Sequence, residues 1–324
     1  LLANLNSIFD MTPQEAIAKA QTELNQHRKE WEHRFIQYMS QTVANRDKIK
    51  ERRKKFHKWA NLSVYSTIGN AKDNKPVFDL RYQGQSVGSI VIRGNDVRLV
   101  ISENQHKNSS NPKYFNGYPK ELSAGDFSWH DEEAKLFRKF FQNNPEKKHH
   151  PEHRLENLLL KELSKASRTE KSLAGIQPVT LGGDIFFQLP TPLTASGSDI
   201  QYSNGHGGID ILARRKKHLV VFELKDEYKA TENPDKVISQ AIAYATFIAE
   251  LCKTEAADDF WSLCGINDPC NRNYIFVSVL MPDPKDGSKP FTGEEASIPG
   301  SNIKLKLHYM FFDKETIEIT DSSL

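Results

Sequence analysis

The sequence predicts an α/β protein: a central mixed sheet flanked by helices, preceded by an α+β module. Three observations carry this. Between residues 151 and 251 the apolar pattern runs helix, strand, strand, strand, helix. Two further apolar runs, 272–281 and 302–312, have the length and composition of strands. In the first half the period changes from helical, up to about residue 60, to alternating from residue 76 onward. At 324 residues the chain suits one large or two ordinary domains, and 38% apolar residues support a core while allowing polar insertions.

Each element has a local cause. Met11-Thr-Pro-Gln-Glu opens the first helix, with Thr12 as cap, Pro13 in the first turn and Glu15 as the capping-box partner. The helical stretch that follows is rich in Lys, Glu, Gln and Arg, interrupted by Phe35, Tyr38, Met39, Phe56 and Trp59. Residues 76–82, 86–93 and 96–102 read as a three-stranded meander with turns at Gly84 and Gly94-Asn95. Residues 104–113 read as a polar loop, and Ser128 as the cap of a short helix holding Leu136, Phe137, Phe140 and Phe141. The polar stretch 143–150 marks the expected boundary between a module spanning 1–145 and a domain spanning 146–324. In the second domain, Leu155, Leu158, Leu159 and Leu163 form the stripe of a helix from Pro151 to about Ser167. A strand from Asp184 is ended by Pro190 and Pro192. The run 272–281 is apolar throughout and reads as a central strand, whereas 302–312 alternates.

The residues that carry chemistry lie in 207–225, two apolar runs around a basic turn, which read as a hairpin. Side chains alternate along a strand, so Val221, Glu223 and Lys225 share one face of the second run. A turn at Arg215-Lys216 sets Asp210 opposite Val221, and a turn at Lys216-Lys217 sets it opposite Glu223. Either register gathers Asp210, Glu223 and Lys225 within roughly 5–8 Å. Two carboxylates converging at a strand edge suit a hard cation, Mg²⁺ with Mn²⁺ as a substitute. A neighbouring ammonium holds a water or a phosphate oxygen, which completes a kit for metal-assisted phosphodiester hydrolysis. The plainer reading is an exposed ion-pair ladder. Glu-x-Lys also occurs at Glu133/Lys135, Glu146/Lys148 and Glu227/Lys229, but only Glu223/Lys225 closes a strand that faces an aspartate. Downstream, residues 235–251 form a helix apolar around most of its circumference, with Gln240 and Tyr244 one turn apart. For Gln240 the plainer reading is a surface residue, and for Tyr244 it is core packing. Glu152, Glu156 and Glu162 read as solvated helix charges unless Glu156, at the edge of its stripe, reaches a site.

With those residues in place, 150–280 resembles the PD-(D/E)XK phosphodiesterase superfamily, which includes restriction endonucleases, Holliday-junction resolvases and RecB-type nuclease domains. The likeness spans about two-fifths of the 324 residues and rests on element order together with Asp210, Glu223 and Lys225. Glu156 matches the helix glutamate, with Glu152 next. Gln240 and Tyr244 resemble the Gln-x-x-x-Tyr helix of RecB-type members, and Gly207-Gly208 suits their Gly-x-x-Asp form. Ile209 stands where many members have proline. The resemblance implies a restriction-endonuclease-like core and a Mg²⁺-dependent endonuclease of restriction, defence or repair type acting on double-stranded DNA. It implies that Asp210, Glu223 and the Leu224 backbone carbonyl hold the metal, helped by Glu156 through water. It further implies that Lys225 orients or deprotonates the attacking water and that Gln240 positions a phosphate or Lys225. A non-catalytic nucleic-acid-binding protein on the same fold is the alternative.

The remaining composition sets limits. Net charge is only +2, but residues 46–58 carry eight Lys and Arg against Asp47 and Glu51, and Arg214–Lys217 form a second basic knot. Such runs are solvated faces or phosphate contacts. Asn204-Gly-His-Gly-Gly is either a flexible turn or a loop that lets a DNA backbone approach. The first 145 residues are either a scaffold or dimerisation module or the part that recognises DNA. Three cysteines without a CxxC pair argue against a disulfide scaffold, and His149, His150 and His153 lack soft co-ligands for zinc. No apolar stretch reaches the roughly 18 residues of a membrane span and no signal peptide is visible, so the expectation is a cytoplasmic protein without a membrane partner.

Overall fold

The computed structural model describes residues 11–54, 61–68, 77–143, 145, 155–160, 175–181, 184–185, 188–196, 199–225, 233–284, 292–313, 315–316 and 318–324. It is a mixed α/β structure in two compact units, each discontinuous in sequence. One unit comprises Leu1–Ser40, Leu159–Val179 and Gln188–Leu324, the other Gln41–Leu158 and Thr180–Phe187.

Helix α1 (Pro13–Gln26) starts as the sequence predicts. Thr12 accepts from the Glu15 N–H at 3.2 Å, Glu15 accepts from the Thr12 N–H at 2.7 Å, and Pro13 occupies the first turn. The helical run then breaks at His27, which the pattern did not reveal, and resumes as α2 (Arg28–Arg53). Phe56 and Trp59 lie outside the described residues.

The unit containing Gln41–Leu158 is built on a five-stranded antiparallel sheet. Its order is β1 (Leu62–Ser66), β2 (Val77–Tyr82), β3 (Gln85–Arg93), β4 (Asp96–Ile101) and β5 (Gly125–Ser128). The expected meander is β2–β4, extended by one strand on each side. Gln83 and Gly84 both take positive φ, 46° and 84°, which is what a twisted two-residue hairpin turn requires. The expected polar loop is instead helix α3 (Glu103–Ser110). Ser102 and Gln105 cap each other reciprocally there, so the capping box outweighs the weak helix propensity of its Asn and Ser residues. Helix α4 (Glu132–Gln142) has Asp131 rather than Ser128 at its N-cap; Asp131 makes no side-chain bond into the helix and instead accepts the Ser128 N–H at 2.6 Å. Phe137 and Phe141 of α4 are fully buried, and Phe141 packs 5.2 Å from Tyr82 and 5.8 Å from Phe115. A helix over 155–160, α5, is described; the flanking parts of the predicted 151–167 helix lie outside the described residues. Asn157 on α5 accepts from the Tyr65 hydroxyl at 2.7 Å and the Ser63 hydroxyl at 3.0 Å. Strands β7 (Thr180–Leu181) and β8 (Asp184–Ile185) pair with each other. Of the basic run 46–58, Arg52 donates to the Ile92 carbonyl at 2.8 Å, while Lys55 and Lys58 lie outside the described residues.

The other unit is centred on a seven-stranded mixed sheet of β6 (Ile176–Pro178), β11 (Ile211–Arg215), β12 (His218–Leu224), β13 (Tyr274–Pro282), β14 (Glu294–Ser297), β15 (Lys304–Phe312) and β16 (Ile319–Ser322). Strands β12, β13 and β15 are mutually parallel, with antiparallel neighbours outside them. Val220, Val221, Phe222, Val277 and Val279 are fully buried, as expected of strands covered on both faces. Strands β9 (Leu189–Ser196) and β10 (Asp199–Ile209) form a separate antiparallel ribbon. Pro190 and Pro192, expected to end a strand, lie inside β9. Among the described residues β9 pairs only with β10, and a proline N on the other edge forfeits no ladder bond. Helix α6 (Pro234–Leu251) is buried along almost its whole length, and α7 (Ala257–Leu263) follows it.

The division differs from the expected 1–145 and 146–324. Ala16, Ile17, Ala20 and Leu24 on α1 are buried, and α1 packs along α6. Gln21 on α1 donates to the Glu250 carboxylate on α6 at 2.6 Å. Trp31 and Phe35 stand 5.7 and 4.8 Å from the Phe247 ring. Helix α1 and the first part of α2 therefore complete the core of the unit that holds α6. Among the described residues, no helix is long and apolar enough to cross a membrane.

Two histidines of this sheet have a pH consequence. Burial pushes His218 and His308 below the ordinary histidine value, with the Lys306 charge acting in the same direction on both. The native state thus favours neutral rings, and the unfolded chain binds more protons below its own value, about 6.5. Their stabilising contribution is full above that pH and lost below it. Thermal melts are expected to fall between about pH 7.5 and 5.5, and less steeply in the His218→Gln/His308→Gln double variant. Equal slopes in both proteins would show that neither histidine is responsible.

Candidate active site

Strands β11 and β12 form the expected hairpin. Arg215 pairs with His218, so the turn is Lys216-Lys217, with Lys216 at φ 55°. Of the two registers open to the sequence, this one sets Asp210 against Glu223: Ile211 pairs with Phe222, and Asp210 is the next residue along. Asp210 sits at the junction of β10 and β11 rather than inside either strand. Its Oδ2 accepts the Leu224 N–H at 2.9 Å, so a side chain takes over where the ladder ends. A residue's N–H and C=O leave a strand on the same side. The Leu224 carbonyl is therefore directed toward the Asp210 side, and the next N–H, of Lys225, turns the other way to the Leu280 carbonyl at 3.0 Å.

Glu223 is buried, 6% exposed. Lys225 Nζ lies 2.9 Å from its Oε1, and the two side chains are 12% and 7% exposed. The pair is thus not the exposed ladder that was the plainer reading. An exposed pair contributes at most about 1 kcal/mol. A buried carboxylate costs several kcal/mol to desolvate and persists only beside compensating charge. The Lys225 ammonium supplies such charge, and a divalent cation would supply more.

Gln240 on α6 is 4% exposed and donates through Nε2 to the Ala195 carbonyl on β9 at 2.8 Å. Its Oε1 is buried and has no hydrogen-bond partner among the described residues. It is therefore not a surface residue. Tyr244, one turn on, is buried in the core. The Ala195 carbonyl and the Leu224 N–H belong to this arrangement without any side-chain signal that could have revealed them.

Glu156 belongs to the other unit. It is 2% exposed, and its charge acts on Tyr65. Burial pushes the Tyr65 hydroxyl up to about 12, with Glu156 and Asp79 adding to the rise and Ser63 and Arg81 opposing it. Glu156 is thus no solvated helix charge.

Gly207 and Gly208 lie within β10, after a register shift between Tyr202 and Gly207. A Cβ on Gly207 would fall 1.6 Å from the Leu193 carbonyl oxygen and 2.6 Å from Thr191 Oγ1. Close passage of β10 over β9 explains this glycine, with no approaching ligand needed.

Among the described residues, no group of three or more His, Cys, Asp or Glu side chains gathers as a metal cage. Mg²⁺ does not need one: it retains several waters and takes one or two carboxylates besides substrate oxygens. Asp210, Glu223 and the Leu224 carbonyl match that donor set. The comparisons add nothing to it. No protein-family model, curated protein or solved structure matches this chain.

Proposed function

We propose that this protein is a Mg²⁺-dependent phosphodiesterase that cleaves nucleic acid, with double-stranded DNA as substrate and a PD-(D/E)XK-type, restriction-endonuclease-like core as scaffold. The reading rests above all on one observation: Asp210 and Glu223 face each other across the β11–β12 hairpin, with the Lys225 ammonium 2.9 Å from Glu223. Asp210, Glu223 and the Leu224 carbonyl would hold the cation, and Mn²⁺ would substitute. When bound, the cation offsets phosphate charge and makes a water a better nucleophile. Lys225 orients that water and neutralises part of the charge that grows on the phosphate. Glu223 holds Lys225 in place, and the Leu224 N–H fixes the Asp210 rotamer. Cutting both strands of a duplex calls for two such centres, which a homodimer supplies.

The buried Glu223–Lys225 pair also favours a second reading, a nuclease-like fold that binds nucleic acid without cleaving it. Plasmid nicking separates the two. Cleavage that appears with Mg²⁺ or Mn²⁺ and stops with EDTA supports the first, and binding without cleavage under every divalent ion supports the second.

Gln240→Ala is expected to lower the cleavage rate while leaving Mg²⁺ affinity unchanged. Gln240 anchors on the Ala195 carbonyl and offers its remaining oxygen to Lys225 or to a substrate-ordered water, not to the ion. Calorimetry in which Gln240→Ala loses as much Mg²⁺ affinity as Asp210→Asn would rule this role out.

A further inference from the structure

One face of the seven-stranded sheet carries rings and cations that the proposed chemistry does not use. Along β12, residues 218, 220 and 222 point to one face and Glu223 and Lys225 to the other. In register with His218 on that first face are Arg215 on β11 and, continuing the Val220–Phe276 pairing, Tyr274 on β13; Phe276 pairs with Lys306 and Tyr274 with Lys304 on β15. The ring centroids of His218 and Phe276 are 5.1 Å apart, those of His218 and Tyr274 6.4 Å. Lys306 Nζ stands 4.2 Å from the Tyr274 centroid.

This face changes character along the strands. Toward the C-terminal ends of β12, β13 and β15 it is closed: Phe222, Ser278, Leu280 and Met310 are at most 1% exposed. Toward the N-terminal ends it is open, and His218, Tyr274, Phe276, Arg215 and Lys306 are all only half-buried, with Lys304 exposed. Arg215, Lys304 and Lys306 stand there against Glu295, whose carboxylate lies 3.3 Å from both lysines. The exposed Lys216 and Lys217 of the hairpin turn extend the positive edge.

We propose that this open half-face is a platform for single-stranded nucleic acid. Ring faces accept any base, and flanking cations accept the phosphates between them. Base stacking selects the strand state. In a duplex each base face is covered by its neighbours, whereas a single strand can turn its bases out and lay their faces on aromatic side chains. Glu295 would release Lys304 and Lys306 to the phosphates. The platform lies on the opposite face of the sheet from Glu223, and the inference does not depend on the phosphodiesterase reading.

The test is fluorescence anisotropy of labelled oligothymidylate, and of a duplex of equal length, with the full chain in EDTA so that no cleavage intervenes. His218→Ala and Phe276→Ala are each expected to weaken single-strand binding about 5- to 150-fold, with duplex binding little changed. Phe276→Trp should restore it, which separates loss of a ring from loss of the fold. Lys304→Gln and Lys306→Gln should each shallow the log–log salt slope by about 0.7. Glu295→Gln should tighten binding by up to about fivefold, the worth of one exposed ion pair. The proposal is overturned by wild-type protein that does not bind oligothymidylate. It is equally overturned by ring variants that change neither affinity or change both alike, or by a loss in Phe276→Ala that Phe276→Trp does not recover. Failure of Mg²⁺-dependent cleavage with ring-dependent binding intact would strike the proposed chemistry alone.

Discussion

Asp210→Asn and Glu223→Gln are each expected to reduce Mg²⁺-dependent cleavage by about a thousandfold or more, since a cation's stabilisation of the reacting phosphate is worth several kcal/mol and each 1.4 kcal/mol is tenfold in rate. The amide variants are sharper tests than alanine. Asp210 accepts the Leu224 N–H, and Asp210→Ala would leave that donor without its acceptor at a cost of about 1–3 kcal/mol. Asn keeps an acceptor oxygen and removes only the charge. Lys225→Ala should abolish cleavage as well but also lower the melting temperature. It leaves Glu223 buried without its cation, a change that costs about 3–5 kcal/mol. Plasmid nicking with parallel thermal melts reads both quantities. Wild-type turnover in clean Asp210→Asn or Glu223→Gln protein would dismantle the assignment.

A fragment that begins at residue 146 is expected not to fold. It lacks α1 and the first part of α2, whose Ala16, Ile17, Ala20, Leu24, Trp31, Phe35 and Met39 are at most 1% exposed. Removing them strips one side of α6, including the packing of Trp31 and Phe35 on Phe247. A single Trp→Ala or Phe→Ala in such a core costs about 3–5 kcal/mol, against a typical total stability of about 5–15 kcal/mol. Trp31→Ala in the full chain should therefore be strongly destabilised, and the Trp31 indole also forfeits its 2.8 Å hydrogen bond to the Leu24 carbonyl. Circular dichroism and heteronuclear NMR of the 146–324 fragment decide the matter. A cooperative melt near that of the full chain would mean that α1 is an accessory.

The hairpin was legible because two apolar runs separated by a basic turn leave only two registers, and each put Asp210, Glu223 and Lys225 on one face. The turn that selects between them depends on Lys216 adopting a positive φ, which nothing in a lysine announces. The central strands were legible because strands covered on both faces must be apolar throughout. The break at His27 was not: no Gly or Pro marks it, and the packing of α1 on α6 is a long-range fact that local pattern cannot carry. Helix α3 was missed although its capping pair, Ser102 and Gln105, stands in the sequence, because the Asn, Lys and Ser around it resemble loop. For the candidate site, the side chains were readable and the backbone groups that hold them were not. Glu156 matched the helix glutamate by element order, but its burial depends on how its helix packs, which local pattern does not carry.

The packing of α1 against α6 also imposes a timetable on synthesis. Helix α1 ends at Gln26 and its partner begins at Pro234. At a translation rate of about 5–20 residues per second, the apolar side of α1 waits roughly 10–40 s on the ribosome before α6 exists. Through that interval Ile17 and Leu24 have no native place to go. Nascent chains of this protein are thus expected to depend on chaperone shelter of helix α1, and overexpression at high temperature should fail through aggregation of chains halted before residue 234.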